Sequence, residues 1–171
     1  MGDAAPVTAR HVAADEGTTF WFLGNLFKLK ATSEDTAGAF GLIEAIQPAG
    51  FTAPPHIHHA EEEVFYLISG DITFFCGDST ISAHAGSFVW LPRGIPHWFR
   101  VEGNTPAHLL QWNFPGGVER FFLELGEPVV DPSTPPAGPP DIGKLLALAP
   151  RYQIEMLGPP PTEARDAEAA S

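Results

Sequence analysis

A single cysteine, Cys76, stands in 171 residues, so no disulfide can form within the chain. Basic residues are also scarce: Lys and Arg total 9 against 21 Asp and Glu, a formal charge of −12. That balance argues against nucleic acid and anionic membranes as partners, since both are bound through basic patches. No apolar run approaches the roughly 20 residues of a membrane span. The N-terminus lacks the apolar stretch of a signal peptide, and Pro6 stands where a myristoylation site needs Ser or Thr. The expectation is a cytoplasmic protein. No repeat is visible, and the length suggests one domain, able to bury roughly 70% of its unfolded surface.

Glycine and proline are plentiful instead, at 17 and 18 residues, and they punctuate short alternating segments. Leu26 to Thr32 sets Phe27, Leu29 and Ala31 against Lys28, Lys30 and Thr32. Phe40 to Ile46, Val64 to Ser69, Ile72 to Cys76, Ile81 to Ala83, Phe88 to Leu91, Trp98 to Val101 and Ala107 to Phe114 read as further strands. Many short strands with regular turn signals imply an all-β sandwich or barrel. Near the C-terminus, Val118 to Leu125 is helical by periodicity and stops at Gly126 and Pro128. Asp141 can cap a short helix over Ile142 to Ala149.

The chemistry concentrates between Gly50 and Gly70, where His56, His58, His59, Glu61, Glu62 and Glu63 precede a strand. In an extended segment His56 and His58 point to one side. Glu63 shares a face with Phe65 and Leu67, and a carboxylate on an apolar face must be paired or ligate a metal. Glu61 and Glu62 read as charges that serve solubility. A second stretch turns at Pro92 to Pro96 and delivers His97 onto a strand face shared with Phe99 and Val101. His56, His58, Glu63 and His97 are thus the candidate ligands of one divalent transition metal. Imidazole with carboxylate suits Fe, Ni, Co, Mn, Cu or Zn.

These positions carry a family resemblance. Gly50, His56, His58, Glu63 and Gly70 stand at the spacing of the first cupin motif. Gly86, Pro92, Gly94 and His97 match the second, whose final Asn is replaced by Val101. The match spans about residues 40 to 115. The flanks, Phe20 to Gly24 and Glu119 to Phe122, resemble single-domain cupins grouped with quercetin 2,3-dioxygenases, a looser likeness. The resemblance implies a cupin double-stranded β-helix, or jelly-roll barrel, with short C-terminal helices. It also implies a dioxygenase acting on a flavonol-type hydroxyl, with Glu63 accepting the proton and O2 opening the ring.

On period 2, Phe65, Leu67, Phe99 and Val101 should line the substrate pocket. Of nine cationic residues only Arg93 and Arg100 lie near the motifs, so a neutral, ring-bearing substrate fits better than an anionic one. The alternatives are a metal-assisted cyclase, isomerase or lyase on an apolar substrate, and a non-catalytic binding cupin. Cupins commonly form homodimers, and the aromatic Phe20 to Leu23 could supply that interface. His59 is assigned to solvent or to support of the site; His11, His84 and His108 receive no role. Cys76 reads as a small buried hydrophobe. The expected organisation is an arm over 1–18, a barrel over 19–128, a Pro-rich linker and docking segment over 129–158, and a disordered tail over 159–171.

Overall fold

The computed structural model describes residues 8–161. The expected tail lies mostly outside that range, and so does the first part of the arm. Twelve strands are present among the described residues. They are β1 (Thr18–Phe22), β2 (Asn25–Ala31), β3 (Gly41–Gln47), β4 (His56–His58), β5 (Glu62–Ser69) and β6 (Ile72–Cys76). Then follow β7 (Ser79–Ala83), β8 (Phe88–Leu91), β9 (His97–Val101), β10 (Ala107–Phe114), β11 (Glu127–Pro128) and β12 (Ile154–Met156). Two helices, α1 (Glu119–Leu125) and α2 (Ile142–Leu148), lie between β10 and β12.

The strands form two antiparallel sheets in the cupin arrangement. One has the order β11-β1-β2-β3-β10-β5-β8, the other β12-β4-β9-β6-β7. The alternation read from the sequence is the alternation of burial: Phe27 and Leu29, Ile43 and Ala45, Phe65 and Leu67 all face inward. Between the sheets, Phe65 meets Phe74 at 5.0 Å and Phe99 at 5.8 Å, ring centre to ring centre. This aromatic contact joins the strand that follows the first motif to the strand that follows the second.

Motif glycines serve tight places. Gly70 turns β5 into β6 with φ of +84°, and a Cβ there would lie 2.7 Å from the Cα of Ala107. Gly94 donates its N–H to the carbonyl of His58 at 2.8 Å, which pins the Pro92–Pro96 turn to β4.

Phe20, Trp21 and Phe22 are buried in their own chain, where β1 pairs with β2 and β11. Helix α1 lays Phe121 and Phe122 against them, and Phe122 meets Phe22 at 4.9 Å and Phe27 at 5.5 Å. Asp141 caps α2 as expected, accepting from the N–H of Lys144 at 2.8 Å. The last apolar segment does more than dock. Ile154–Met156 adds a strand to the smaller sheet, pairing Ile154 with His58 and Met156 with His56. Its three residues are too few for period 2 to announce a strand. Truncating the aromatic hub should be costly: Phe122→Ala is expected to destabilise the fold by about 3 kcal/mol, read from chemical denaturation.

Candidate metal centre

Strand β4 is three residues long, held on one side by β12 and on the other by a single pairing, His56 with His97 of β9. Pro54 and Pro55 keep the approach extended. β9 enters directly from the turn that Gly94 pins. Glu63 stands opposite Leu91 on β8 and Asn113 on β10, in the other sheet. The site therefore spans the gap between the sheets, with three imidazoles from one and a carboxylate from the other.

All four side chains present one ligand atom within 4.8 Å of each other. His58 Nε2 lies 3.2 Å from Glu63 Oε1, and His97 Nε2 lies 3.3 Å from Glu63 Oε2. The far nitrogens of His56 and His97 are already hydrogen-bonded. His56 Nδ1 meets the carbonyl of Pro54 at 2.8 Å, and His97 Nδ1 that of Ile95 at 2.9 Å. A carbonyl only accepts, so each Nδ1 carries a proton, and in the neutral ring the Nε2 lone pair then faces inward. His58 Nδ1 faces Glu61 Oε2 at 3.5 Å, an ionic contact longer than a hydrogen bond. His97 Nε2 is buried without a hydrogen-bond partner, its approach to Glu63 lacking the required alignment.

Electron-rich atoms brought together in a dry interior repel unless a cation or proton stands between them. The donor set, one carboxylate with neutral imidazoles, is the kind that divalent transition metals take. The outer hydrogen bonds fix the ring tautomers, as the support of a metal site does. His56, His58, Glu63 and His97 could therefore hold one metal ion.

Among protein groups alone, the charges distribute unevenly. Burial, with the charges of His58 and His97, pushes His56 down to about 3. Burial also opposes charge on His58, but Glu63 and then Glu61 outweigh it and raise that ring to about 9. Burial resists ionisation of Glu63 as well, yet His58 and His97 hold its carboxyl well below the ordinary range.

Several supporting residues escaped the sequence reading. Glu61 is buried and faces His58, so it is not a solubilising charge. Gln111 and Asn113 donate their amides to Glu63 Oε1 at 2.9 and 3.1 Å. Both occupy inward positions of β10, where the alternation that buries Ala107 and Leu109 continues with polar residues. That break in an apolar face was the available signal. His59 is exposed and pairs with Glu155 at 2.9 Å. Cys76 is half-buried rather than enclosed.

A cavity of about 70 Å³ adjoins the cluster, with His56, His58 and Glu63 in its wall. Phe65 and Phe99 line it; Leu67 and Val101 are buried in the core but do not reach it. Phe22, Phe27, Phe121 and Phe122 contribute further rings, and no Lys or Arg is present in the lining.

Residues 42–113 match the family model described as the cupin domain. Over that stretch the chain is similar to the cupin domain, in keeping with its two-sheet fold. It is 27% identical over 103 residues to quercetin 2,3-dioxygenase of Bacillus subtilis, covering 60% of this chain and 30% of that protein. The chain thus spans less than a third of the length of that relative. Among solved structures, KdgF from Halomonas sp. superposes with a TM-score of 0.58 at 13% identity, covering 66% of this chain and 99% of that one. The polyketide cyclase RemF from Streptomyces resistomycificus gives 0.54 at 20% identity, covering 63% and 80%. At those identities the likeness concerns the cupin fold. Among the described residues no helix is long and apolar enough to cross a membrane.

Ligation through His58 Nε2 requires a lone pair where the metal-free ring, raised to about 9, carries a second proton. Metal uptake near neutral pH is therefore expected to release about one proton from this ring, and affinity should rise with pH until about 9. His56, pushed down to about 3, should release none. Calorimetric titration in two buffers of different ionisation enthalpy counts the protons.

Proposed function

We propose that this cupin domain is a metal-dependent oxidoreductase, a dioxygenase acting on a neutral aromatic or enolic small molecule of the flavonol type. The observation that carries the reading is the juxtaposition of a three-histidine, one-carboxylate cluster with a ring-lined cavity devoid of cationic side chains. The distant likeness to a quercetin 2,3-dioxygenase supports it.

His56, His58, Glu63 and His97 would hold the ion. When bound, such an ion polarises an oxygen placed against it and lowers that oxygen's pKa. Four protein ligands leave room for others on an octahedral ion, which distinguishes a catalytic site from a closed structural one. Glu63 is the group assigned to take the substrate's hydroxyl proton. Its Oε1 already accepts from two amides, so Oε2 is the oxygen assigned to the proton. Phe65 and Phe99 would hold the ring system and keep bulk water from it. Leu67 and Val101 belong to the same buried core as those rings.

Sites for drug-sized ligands run to about 300 Å³ or more. A three-ring substrate therefore requires the cavity of about 70 Å³ to widen. Leu145 of α2 with Ile154 and Met156 of β12 form part of its lining and are assigned the movement that widens it.

A second reading, a metal-assisted cyclase, isomerase or lyase, draws on the same cluster. Glu63 is held so firmly ionised, and is so weak a base, that it suits taking a proton from a hydroxyl acidified by the ion better than abstraction from carbon. Oxygen consumption separates the two. The metal-loaded protein is expected to consume O2 with a flavonol panel, and Glu63→Gln to lower that rate at least a hundredfold, about 2.7 kcal/mol of barrier. Turnover of the same substrates without O2 uptake would favour the second reading.

A further inference from the structure

Five buried side-chain atoms among the described residues have no hydrogen-bond partner. Three lie at the metal cluster, on His58 and His97 and on the Glu61 that faces His58. The other two are Asn25 Oδ1 and Gln47 Oε1, on side chains only 1% exposed. Buried polar side chains nearly always have a partner, so two orphans together need a reason.

They are together by construction. Leu26 of β2 pairs with Ile46 of β3, which sets Asn25 opposite Gln47 one step further along. Both line the cavity that His56, His58 and Glu63 line. The orientation of Asn25 is fixed, because its Nδ2 donates to the carbonyls of Phe22 at 3.0 Å and Leu23 at 3.4 Å. Its other atom is therefore the oxygen. Along β3 the inward residues run from Gly41, level with Asn113 and so with Glu63, to Gln47. Gln47 therefore stands at the opposite end of β3 from the level of Glu63. Between them lie aromatic walls.

The geometry points to a second recognition point in this cavity: Asn25 Oδ1 and Gln47 Oε1 form an acceptor pair that reads a hydroxyl or N–H donor at the end of the substrate remote from the metal cluster. This rests on the function proposed above and narrows its substrate class to elongated, neutral molecules. Such a molecule has a metal-seeking oxygen at one end, an apolar ring body, and a donor at the other end. An anion is disfavoured, since Asn25 Oδ1, oriented by its two backbone hydrogen bonds, repels it. A plain hydrocarbon terminus is penalised, because it would leave both acceptors dry and unpaired.

The test compares the parent flavonol, whose sole hydroxyl is the enolic one, with quercetin, which bears phenolic hydroxyls on both outer rings. Binding to the metal-loaded full chain is measured anaerobically by calorimetry. Quercetin is expected to bind at least tenfold more tightly. Gln47→Met, which keeps the side-chain length, is expected to bring that ratio towards one by weakening quercetin and by sparing the parent flavonol an unpaired acceptor. It should also raise the melting temperature of the ligand-free protein by relieving an unpaired acceptor. Gln47→Leu serves should Gln47→Met fold poorly. Equal binding of the two ligands by the unmodified protein would overturn the inference alone. So would a ratio that survives both variants, or a quercetin complex with ordered water still on both oxygens. Failure of both flavonols to bind a protein that holds its metal would overturn the flavonol reading and this inference with it.

Discussion

Three imidazole nitrogens and a carboxylate oxygen, drawn within 4.8 Å of each other in a dry interior, constrain everything around them. Left to themselves these atoms would turn towards water. They are kept in place by the backbone. Pro54 and Ile95 hold the outer nitrogens of His56 and His97, the amides of Gln111 and Asn113 hold Glu63, and Gly94 ties the second turn to His58. The Phe65, Phe74 and Phe99 contact beneath them clamps the two sheets at the right separation. Convergence of this kind raises the energy of the empty arrangement, and a cation of suitable size recovers it.

The same constraint shapes the cavity. Strands that bring ligands to one point must carry apolar residues at the neighbouring inward positions, and here those residues are mostly aromatic. The C-terminal segment lines the space through Leu145, Ile154 and Met156 and adds β12 to the short β4 that bears two of the histidines. Access and ligand geometry are thereby linked: the segment lining the cavity also backs His56 and His58. Widening the cavity by moving Ile154 or Met156 would loosen the strand that carries those rings.

Much of this was legible in the sequence. Period-2 alternation located β2, β3, β5 and β10 to within one or two residues, because each has one wet and one dry face. Spacing alone grouped His56, His58, Glu63 and His97, since turn residues at fixed offsets leave the strands little choice of direction. Other features depend on pairings between distant segments. Glu61 looks like its neighbour Glu62, and only the fold shows that one faces His58 and the other the surface. Gln111 and Asn113 matter because β10 lies beside β5, and Asn25 and Gln47 because β2 lies beside β3. The alternation that marks a strand cannot say which inward polar residues will meet. Val101, at the position where the second motif has Asn, sits in the core, while Gln111 and Asn113 bring amides to Glu63 from another strand.

Elemental analysis of the natively purified protein tests the central claim most directly, with His58→Ala, His97→Ala and Glu63→Ala measured beside it. About one transition-metal ion per chain is expected in the unmodified protein, with loss of metal from each variant and little change in folded yield. Full metal retention in two of the three variants, or none in the unmodified protein after growth with every candidate metal, would contradict it.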